Sequence, residues 1–242
     1  MTTSSERYET DVRSKRDEGF VIDGLPEVRR PGVGRVLISE WDVGSPERQR
    51  EVLAEGTRAW VRTPLPEGFV SRVFYAGTDG RTVLNYGQWT SDAAHEEFVR
   101  GEGSGLRARM AAVVGKEVSG PRVFRYYRSL LPQGERPQPG CIVTVRFETT
   151  GHEAARRLVD GLLEMMGGVQ PGQGSIASHF HISEDGTRVF NYSEWGDVAS
   201  HERMVESSLR SDGAVMTFIQ GLPGVTPLGF KRYVGHQGLV RA

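Results

Sequence analysis

The chain has 242 residues, of which 37% are hydrophobic and 25% are charged. Its 30 basic residues nearly balance its 31 acidic residues, which excludes the strong single-sign field that gathers nucleic acid or an anionic membrane surface. The single cysteine excludes an internal disulfide, and no Cys/His grouping has the spacing of a metal site, so we expect no bound metal.

Residues 1–30 are rich in Ser, Thr, Glu, Arg and Lys, and their apolar residues are concentrated at Phe20-Val21-Ile22. The segment from Met1 to Gly19 is too polar for a signal peptide, and no apolar run approaches the length of a membrane span. We therefore expect a soluble, cytoplasmic protein. Residues 1–30 are predicted to form a mobile N-terminal arm, with the apolar patch docked on a neighbouring surface.

Residues 31–128 carry the signals of one small domain. The predicted elements are a strand at 35–41, a helix from Pro46, strands at 69–76 and 82–88, a helix just after Trp89 and a strand around 122–128. Ser45 is suited to the N-cap of the first helix, and Pro46 to its first position. Asp79-Gly80 predicts a tight hairpin between the two middle strands, because glycine accepts the positive φ of the turn.

Residues 140–236 repeat this order after a linker at 129–139 that contains Pro and Gly. Adding 106 to a number in the first copy gives its counterpart in the second copy without a gap, and the matched residues include Phe74 and Phe180, Asn85 and Asn191, Trp89 and Trp195, and His95 and His201. A period of about 100 residues is too long for a solenoid repeat. The chain is therefore a duplication of a small domain.

The order of elements in each copy is β-α-β-β-α-β, the ferredoxin-like pattern. The predicted fold class is α+β, with two tandem ferredoxin-like domains. Two such sheets packed face to face would form an intrachain pseudo-dimeric α+β barrel and would cover surfaces that one copy leaves exposed. Association of whole chains into a homodimer is compatible with this arrangement.

Alternation of side chains divides each hairpin into two faces. A turn at Asp79-Gly80 places Phe74 opposite Asn85, so that one face holds Phe74, Asn85 and Trp89, and its counterpart holds Phe180, Asn191 and Trp195. His179 and His181 fall on the other face of the second hairpin, beside Tyr192. That position favours packing over a role as metal ligands or as a base.

The most specific local signal is Asn-Tyr-x-x-Trp, at Asn85 to Trp89 and again at Asn191 to Trp195. An asparagine within an apolar strand is costly unless its amide is hydrogen-bonded. Taken alone, such an asparagine more often ties strands together, and a tryptophan more often belongs to a core. Their recurrence at one spacing, on one face and beside a helix start instead favours a site.

These features resemble the antibiotic biosynthesis monooxygenase family, which consists of dimeric α+β barrel proteins. The resemblance covers both copies and implies a site in which Asn85, Trp89 and Arg109 contact the substrate, with Phe74 and Phe180 beside it. In the second copy it implies Asn191 and Trp195, but Val215 stands at the position that matches Arg109. The second site is therefore expected to be degenerate.

The resemblance implies a cofactor-independent oxygenase that converts an anthrone or hydroquinone of an aromatic polyketide to a quinone, with molecular oxygen as co-substrate. The alternatives in the same superfamily are a ring-cleaving oxygenase that uses reduced flavin, and a non-oxidative polyketide cyclase or binding protein. No phosphate-binding Gly-rich loop for a flavin or nicotinamide is evident. His95 and His201 follow each Trp by six residues and suit either a helix-to-sheet hydrogen bond, the preferred interpretation, or a cleft.

Overall fold

The computed structural model describes residues 4–115, 120–131, 136–166, 174–210 and 213–242, with the side chains of 208–210 left aside. The chain forms two compact units. Unit 1 is Met1–Val123 with Gly235–Ala242, and unit 2 is Phe124–Val234. The final strand therefore supplies its first part to unit 2 and its last part to unit 1.

The elements follow the predicted order in both copies, with two helices in place of the second predicted helix. The helices are α1 Ser4–Asp17, α2 Pro46–Val61, α3 Asp92–Arg100, α4 Glu102–Val114, α5 His152–Met166, α6 Val198–Arg210 and α7 Ala214–Gly221. The strands are β1 Phe20–Ile22, β2 Arg35–Asp42, β3 Phe69–Gly77, β4 Thr82–Trp89, β5 Arg122–Leu130, β6 Cys141–Thr149, β7 Ser175–Ser183, β8 Arg188–Trp195 and β9 Val225–Arg241. Ser45 caps α2 as predicted, since its Oγ accepts from N–H of Arg48 at 3.2 Å.

The sheet of unit 1 has the strand order β1-β9-β3-β4-β2. Helices α2, α3 and α4 cover one face, where apolar side chains from strands and helices form a single core. Phe74 and Val83 of the hairpin lie in this core together with Val52 of α2 and Leu106 of α4. The face of the hairpin that carries Phe74 is therefore the helix-covered face.

The sheet of unit 2 has the strand order β5-β7-β8-β6-β9, with antiparallel pairing throughout. Helices α5 and α7 supply Leu158, Val159 and Ile219 to a core that includes Phe180 and Val189 of the hairpin. In each unit, the hairpin face that carries the asparagine, Asn85 or Asn191, thus packs against the helices of the same unit.

The predicted hairpin register is confirmed. Phe74 pairs with Asn85, and Phe180 pairs with Asn191. The turn itself is shifted by one residue, because N–H of Gly80 donates to the carbonyl of Gly77 at 3.1 Å and makes Thr78 and Asp79 its central residues. Gly80 still adopts the expected positive φ, at 70°.

The prediction of a mobile arm is wrong for residues 4–22. Residues 4–17 form helix α1, and β1 pairs with the chain end, with Phe20 opposite Arg241. The docking of the apolar patch is confirmed, since the Phe20 ring is 3% exposed and lies 5.8 Å from the ring of Phe69. The first two residues of the predicted linker at 129–139 belong to strand β5, which continues to Leu130.

Phe20→Ala is expected to lower the free energy of unfolding by about 2 kcal/mol. This loss is smaller than that for a phenylalanine in the centre of a core, because β1 is a three-residue edge strand. Val21→Ala is the matched control. Val21 is 49% exposed, so its truncation is expected to change stability by less than about 0.5 kcal/mol. Urea unfolding of both variants measures the difference, and equal losses would show that the patch does not anchor the segment.

Both copies have the α+β, ferredoxin-like arrangement of elements that the sequence predicts. Closure of the two units into a pseudo-dimeric barrel, and the domain boundaries at 31–128 and 140–236, stay predictions. None of the helices in the described ranges combines the length and the hydropathy needed to cross a membrane.

Candidate active site

Asn85 lies on β4 and presents its side chain to the helix-covered face of unit 1, where it is 4% exposed. Its Oδ1 accepts a hydrogen bond from Nη1 of Arg72 at 2.7 Å, and its Nδ2 donates to Oγ of Ser39 at 3.0 Å. Because a guanidinium only donates, the Arg72 contact fixes which end of the amide is oxygen. Nδ2 keeps a second N–H beyond the bond to Ser39, so Asn85 is held as an oriented donor.

Arg72 lies on β3, opposite Gly87 of β4, and is 4% exposed. Its guanidinium carbon lies 4.5 Å from the ring centroid of Trp60, within cation–π distance. Burial lowers the pKa of Arg72 from 12.5 to about 9, so the side chain is still cationic at neutral pH. Its Nε forms no hydrogen bond. Arg72 is absent from the predicted site residues, although its alternation with Phe74 places it on the same face.

Trp89 is fully buried within a group of aromatic rings that we call the aromatic cluster, formed by Trp60, Phe69, Trp89 and Phe98. The Trp89 ring lies 5.3 Å from that of Phe69 and 5.1 Å from that of Phe98. Its Nε1 is buried without a hydrogen-bond partner. Since buried N–H groups are nearly always paired, the cluster contains a donor that no other described residue uses.

His95 on α3 meets the ring of Trp89 edge-on, with 5.0 Å between the centroids. Burial lowers its pKa to about 4, with a further contribution from the positive charges of Arg35 and Arg72, so the imidazole is neutral at pH 7. Its Nδ1 is also buried without a hydrogen-bond partner. This geometry favours a role in the site over the helix-to-sheet hydrogen bond that we preferred from the sequence.

The corresponding group in unit 2 is built differently. Asn191 Oδ1 accepts from Oγ of Ser193 at 3.2 Å, and Ser178 stands at the position of Arg72. Trp195 packs with Cys141 and Val143, and the ring of His201 lies 4.9 Å from it. Sequence positions that match Trp60, Phe69 and Phe98 of the aromatic cluster are held by Met166, Ser175 and Met204. Unit 2 therefore keeps the Asn-Trp pair but loses the cation and most of the rings.

Comparison with known proteins decides the family. No protein-family model matches the chain. Tetracenomycin-F1 monooxygenase of Streptomyces glaucescens is 36% identical to the chain over 118 residues, which cover 46% of this chain and 83% of that protein. The chain belongs to the antibiotic biosynthesis monooxygenase family. The prediction that it is a monooxygenase is thereby confirmed.

Solved structures agree in fold. An anthrone oxidase-like protein superposes with a TM-score of 0.66 at 17% identity, covering 90% of this chain and 96% of that one. A candidate monooxygenase from Fusobacterium nucleatum superposes with a TM-score of 0.50 at 9% identity, covering 88% of this chain and 94% of that one. At these identities the likeness concerns the α+β ferredoxin-like fold alone.

The other residues implied by the family resemblance are not all brought together. Phe74 is fully buried in the core of unit 1, where its ring lies 6.0 Å from that of Trp41. Phe180 is equally buried in the core of unit 2. Arg109 is on the exposed side of α4, and its Nη2 donates to Oγ1 of Thr63 at 3.1 Å. The arginine that contacts Asn85 is Arg72. The roles assigned to Phe74, Phe180 and Arg109 stay predictions.

The histidines of unit 2 lie where the register predicts. His179 pairs with Tyr192 and His181 with Phe190, on the face away from Asn191. His179 Nδ1 is hydrogen-bonded to Oγ of Ser129 at 2.7 Å, and burial lowers the pKa of His181 to about 3. His201 forms the predicted helix-to-sheet hydrogen bond, since its Nδ1 accepts from Nε of Arg232 on β9 at 2.9 Å.

An open groove of about 670 Å³ runs along α5 and α7 of unit 2, and none of the predicted site residues lines it. Its charged side chains pair locally, as in the ion pair of Arg157 with Glu153. Three buried polar atoms without hydrogen-bond partners among the described residues, Nε of Arg72, Nε1 of Trp89 and Nδ1 of His95, lie instead around Asn85 in unit 1. Other such atoms include Nε1 of Trp41 in unit 1 and Nε1 of Trp195 in unit 2. In the described ranges, no group of three or more His, Cys, Asp or Glu side chains is placed to hold a metal ion.

Proposed function

We propose that this family member oxidises an anthrone or hydroquinone of a polycyclic aromatic polyketide to a quinone, using molecular oxygen and no bound cofactor, at the site in unit 1. The observation that carries the proposal is the set of buried polar atoms without partners, Nε of Arg72, Nε1 of Trp89 and Nδ1 of His95, beside the oriented amide of Asn85. Such atoms are rare in folded proteins, and a cluster of them is typical of a place where a ligand supplies the missing partner.

The side chains around Asn85 and Trp89 would suit a flat aromatic molecule. The aromatic cluster offers ring faces and edges on which such a molecule would stack. Trp89 is fully enclosed, so entry of the substrate requires His95 and Phe98, both on α3, to move away from it. The relative's name states that it acts on tetracenomycin F1, and the structural neighbour is described as anthrone oxidase-like, which supports the same substrate class.

The chemistry needs no group that the chain lacks. The methylene carbon of an anthrone loses a proton to give an extended enolate, and the enolate transfers an electron to dioxygen. Recombination forms a hydroperoxide at that carbon, and loss of water leaves the quinone carbonyl. One oxygen atom enters the product, and the other leaves as water with the two methylene hydrogens.

The side chains of unit 1 would act at defined points of this sequence. The free N–H of Asn85 and the indole N–H of Trp89 would donate to the enolate oxygen, where negative charge develops. His95 is a weak base, since its pKa is lowered to about 4, so the methylene proton would pass to water or to another group of the substrate. The surrounding rings would exclude bulk water and hold the plane of the substrate.

Dithranol, a commercial anthrone, tests the proposal. Purified protein is expected to accelerate oxygen uptake and the rise of quinone absorbance over buffer, without added flavin. A requirement for reduced flavin would replace the proposal by the flavin-using alternative. No acceleration with or without reduced flavin would overturn it and favour a cyclase or a binding protein.

A further inference from the structure

Arg72 is a buried cation for which no described residue supplies a carboxylate partner. It is 4% exposed, and its only described polar contact is with the neutral amide of Asn85. The part of the chain that the structure describes supplies no carboxylate as an ion-pair partner, and burial is the dominant influence on its pKa. A buried charge is costly unless it is paired, so this arrangement is incomplete without an anion.

We propose that Arg72 binds the anionic oxygen of the substrate in unit 1, so that this site accepts a planar aromatic molecule as its phenolate or enolate. The inference rests on the proposed function and extends it, because it names the ionisation state that is recognised and the residue that recognises it. The neighbours of Arg72 support this role. Asn85 holds one end of the guanidinium, Trp60 covers its face, and Nε remains without a partner.

Comparison of the two copies shows that space for the cation is built into unit 1. Arg72 faces Gly87, and a Cβ at position 87 would lie 2.7 Å from the guanidinium carbon. The matching pair in unit 2 is Ser178 and Ser193, whose hydroxyls are hydrogen-bonded to each other. The strand positions are the same, but unit 2 fills them with a neutral pair. At this pair of strand positions, therefore, only unit 1 offers a charge that would bind an anion.

The position of Arg72 also distinguishes it from Arg109, which the family resemblance implies. Arg109 is exposed, and its described side-chain hydrogen bond is to Thr63. An exposed guanidinium is solvated and attracts an anion weakly, whereas a buried one acts at low dielectric. The charge that acts on the substrate oxygen is therefore assigned to Arg72.

Alizarin (1,2-dihydroxyanthraquinone) is a suitable probe, because it is a planar hydroxyquinone that anthrone oxidation does not consume and its colour reports ionisation. Spectrophotometric titration of the bound dye is expected to show ionisation at least about one pH unit below that of the free dye, since a nearby cation favours the charged form. Arg72→Met is expected to abolish this shift, whereas Arg72→Lys, which keeps a charge, is expected to retain part of it.

The control variants show whether a lost shift is due to the charge of Arg72, to the removal of any arginine or to unfolding. Arg58→Met removes an exposed arginine of unit 1 that pairs with Glu55, and it is expected to leave the shift unchanged. Gly87→Ala crowds the guanidinium without removing it and is expected to reduce the shift, even if Arg72→Met fails to fold. Thermal unfolding identifies the folded variants.

Wild-type protein that binds alizarin only as its neutral form would overturn the proposal, as would a shift that survives Arg72→Met and is lost in Arg109→Met. The outcome is independent of oxygenation. A shift in alizarin ionisation without dithranol oxidation would support the anion site and overturn the proposed oxygenase function. Dithranol oxidation without such a shift would support the oxygenase function and overturn the anion site.

Discussion

Replacement of Asn85 by alanine is expected to lower kcat/KM for dithranol oxidation by about a hundredfold, the usual cost of removing one donor that stabilises a developing oxyanion. The substitution removes the oriented N–H and also deprives Arg72 of its hydrogen-bond acceptor. Both effects act on the charged form of the substrate, so the rate is expected to suffer more than binding of a neutral analogue. Initial rates of oxygen uptake over a range of dithranol concentrations measure the loss.

Asn191→Ala is the matched control, because Asn191 occupies the same position in unit 2 but contacts Ser193 instead of a cation. It is expected to lower kcat/KM by less than about threefold, within the range of ordinary structural adjustments. Asn85→Asp is a further test, because it places a carboxylate of the same size beside Arg72. The carboxylate would neutralise the charge of Arg72, and the variant is also expected to be inactive. Equal losses for Asn85→Ala and Asn191→Ala would contradict a single site in unit 1.

Gly238→Ala is expected to lower the free energy of unfolding by about 4 kcal/mol or to prevent folding of unit 1. A Cβ at this position would lie 2.0 Å from the carbonyl oxygen of Arg72 and 2.8 Å from Cα of Val73. Both atoms belong to the backbone, so relief of the overlap requires β9 to separate from β3. Gly238 also donates its N–H to Asp23, and the clash would therefore loosen the β1 segment as well.

Gly120→Ala provides the comparison for this substitution, because Gly120 also lies in unit 1. No atom lies within 4 Å of the Cβ that it would add, and the expected change in stability is below about 0.5 kcal/mol. Guanidinium unfolding followed by tryptophan fluorescence reports mainly on unit 1, which contains Trp41, Trp60 and Trp89, whereas Trp195 is in unit 2. If the two variants unfold at the same concentration, the close approach of β9 to β3 does not limit stability.

Elements defined by local patterns could be predicted from the sequence. Ser45 and Pro46 mark the start of α2 because capping depends on neighbouring residues alone. The pairing of Phe74 with Asn85 follows from alternation and a short turn, so it holds although the turn is shifted by one residue. The duplication strengthened the second prediction, because the pairing of Phe with Asn occurs in both hairpins.

Features that depend on distant parts of the chain could not be predicted in the same way. Phe20 packs on Phe69 because β1 pairs with the end of β9, and no local pattern indicates that partner. A polar helix such as α1 also resembles a mobile segment in composition. The position of Arg109 depends on how α4 packs, which the spacing from Trp89 does not determine.

Arg72 is a different case, since a usable signal was present. Alternation places it on the face of Phe74, and the register places it opposite Gly87. The matching positions in the other copy are both serine. This difference indicates that the two positions changed together. A search for shared residues passes over this signal, because the information lies in how the copies differ.

The pairing of Arg72 with Gly87 also limits the routes by which the copies diverged. A Cβ at position 87 would lie 2.7 Å from the guanidinium carbon, so any larger residue there requires the Arg72 side chain to shift. Exchange of both residues for the two serines of unit 2 would remove the charge and the close approach together. The two positions therefore constrain each other, and a swap between the copies has to change them as a pair.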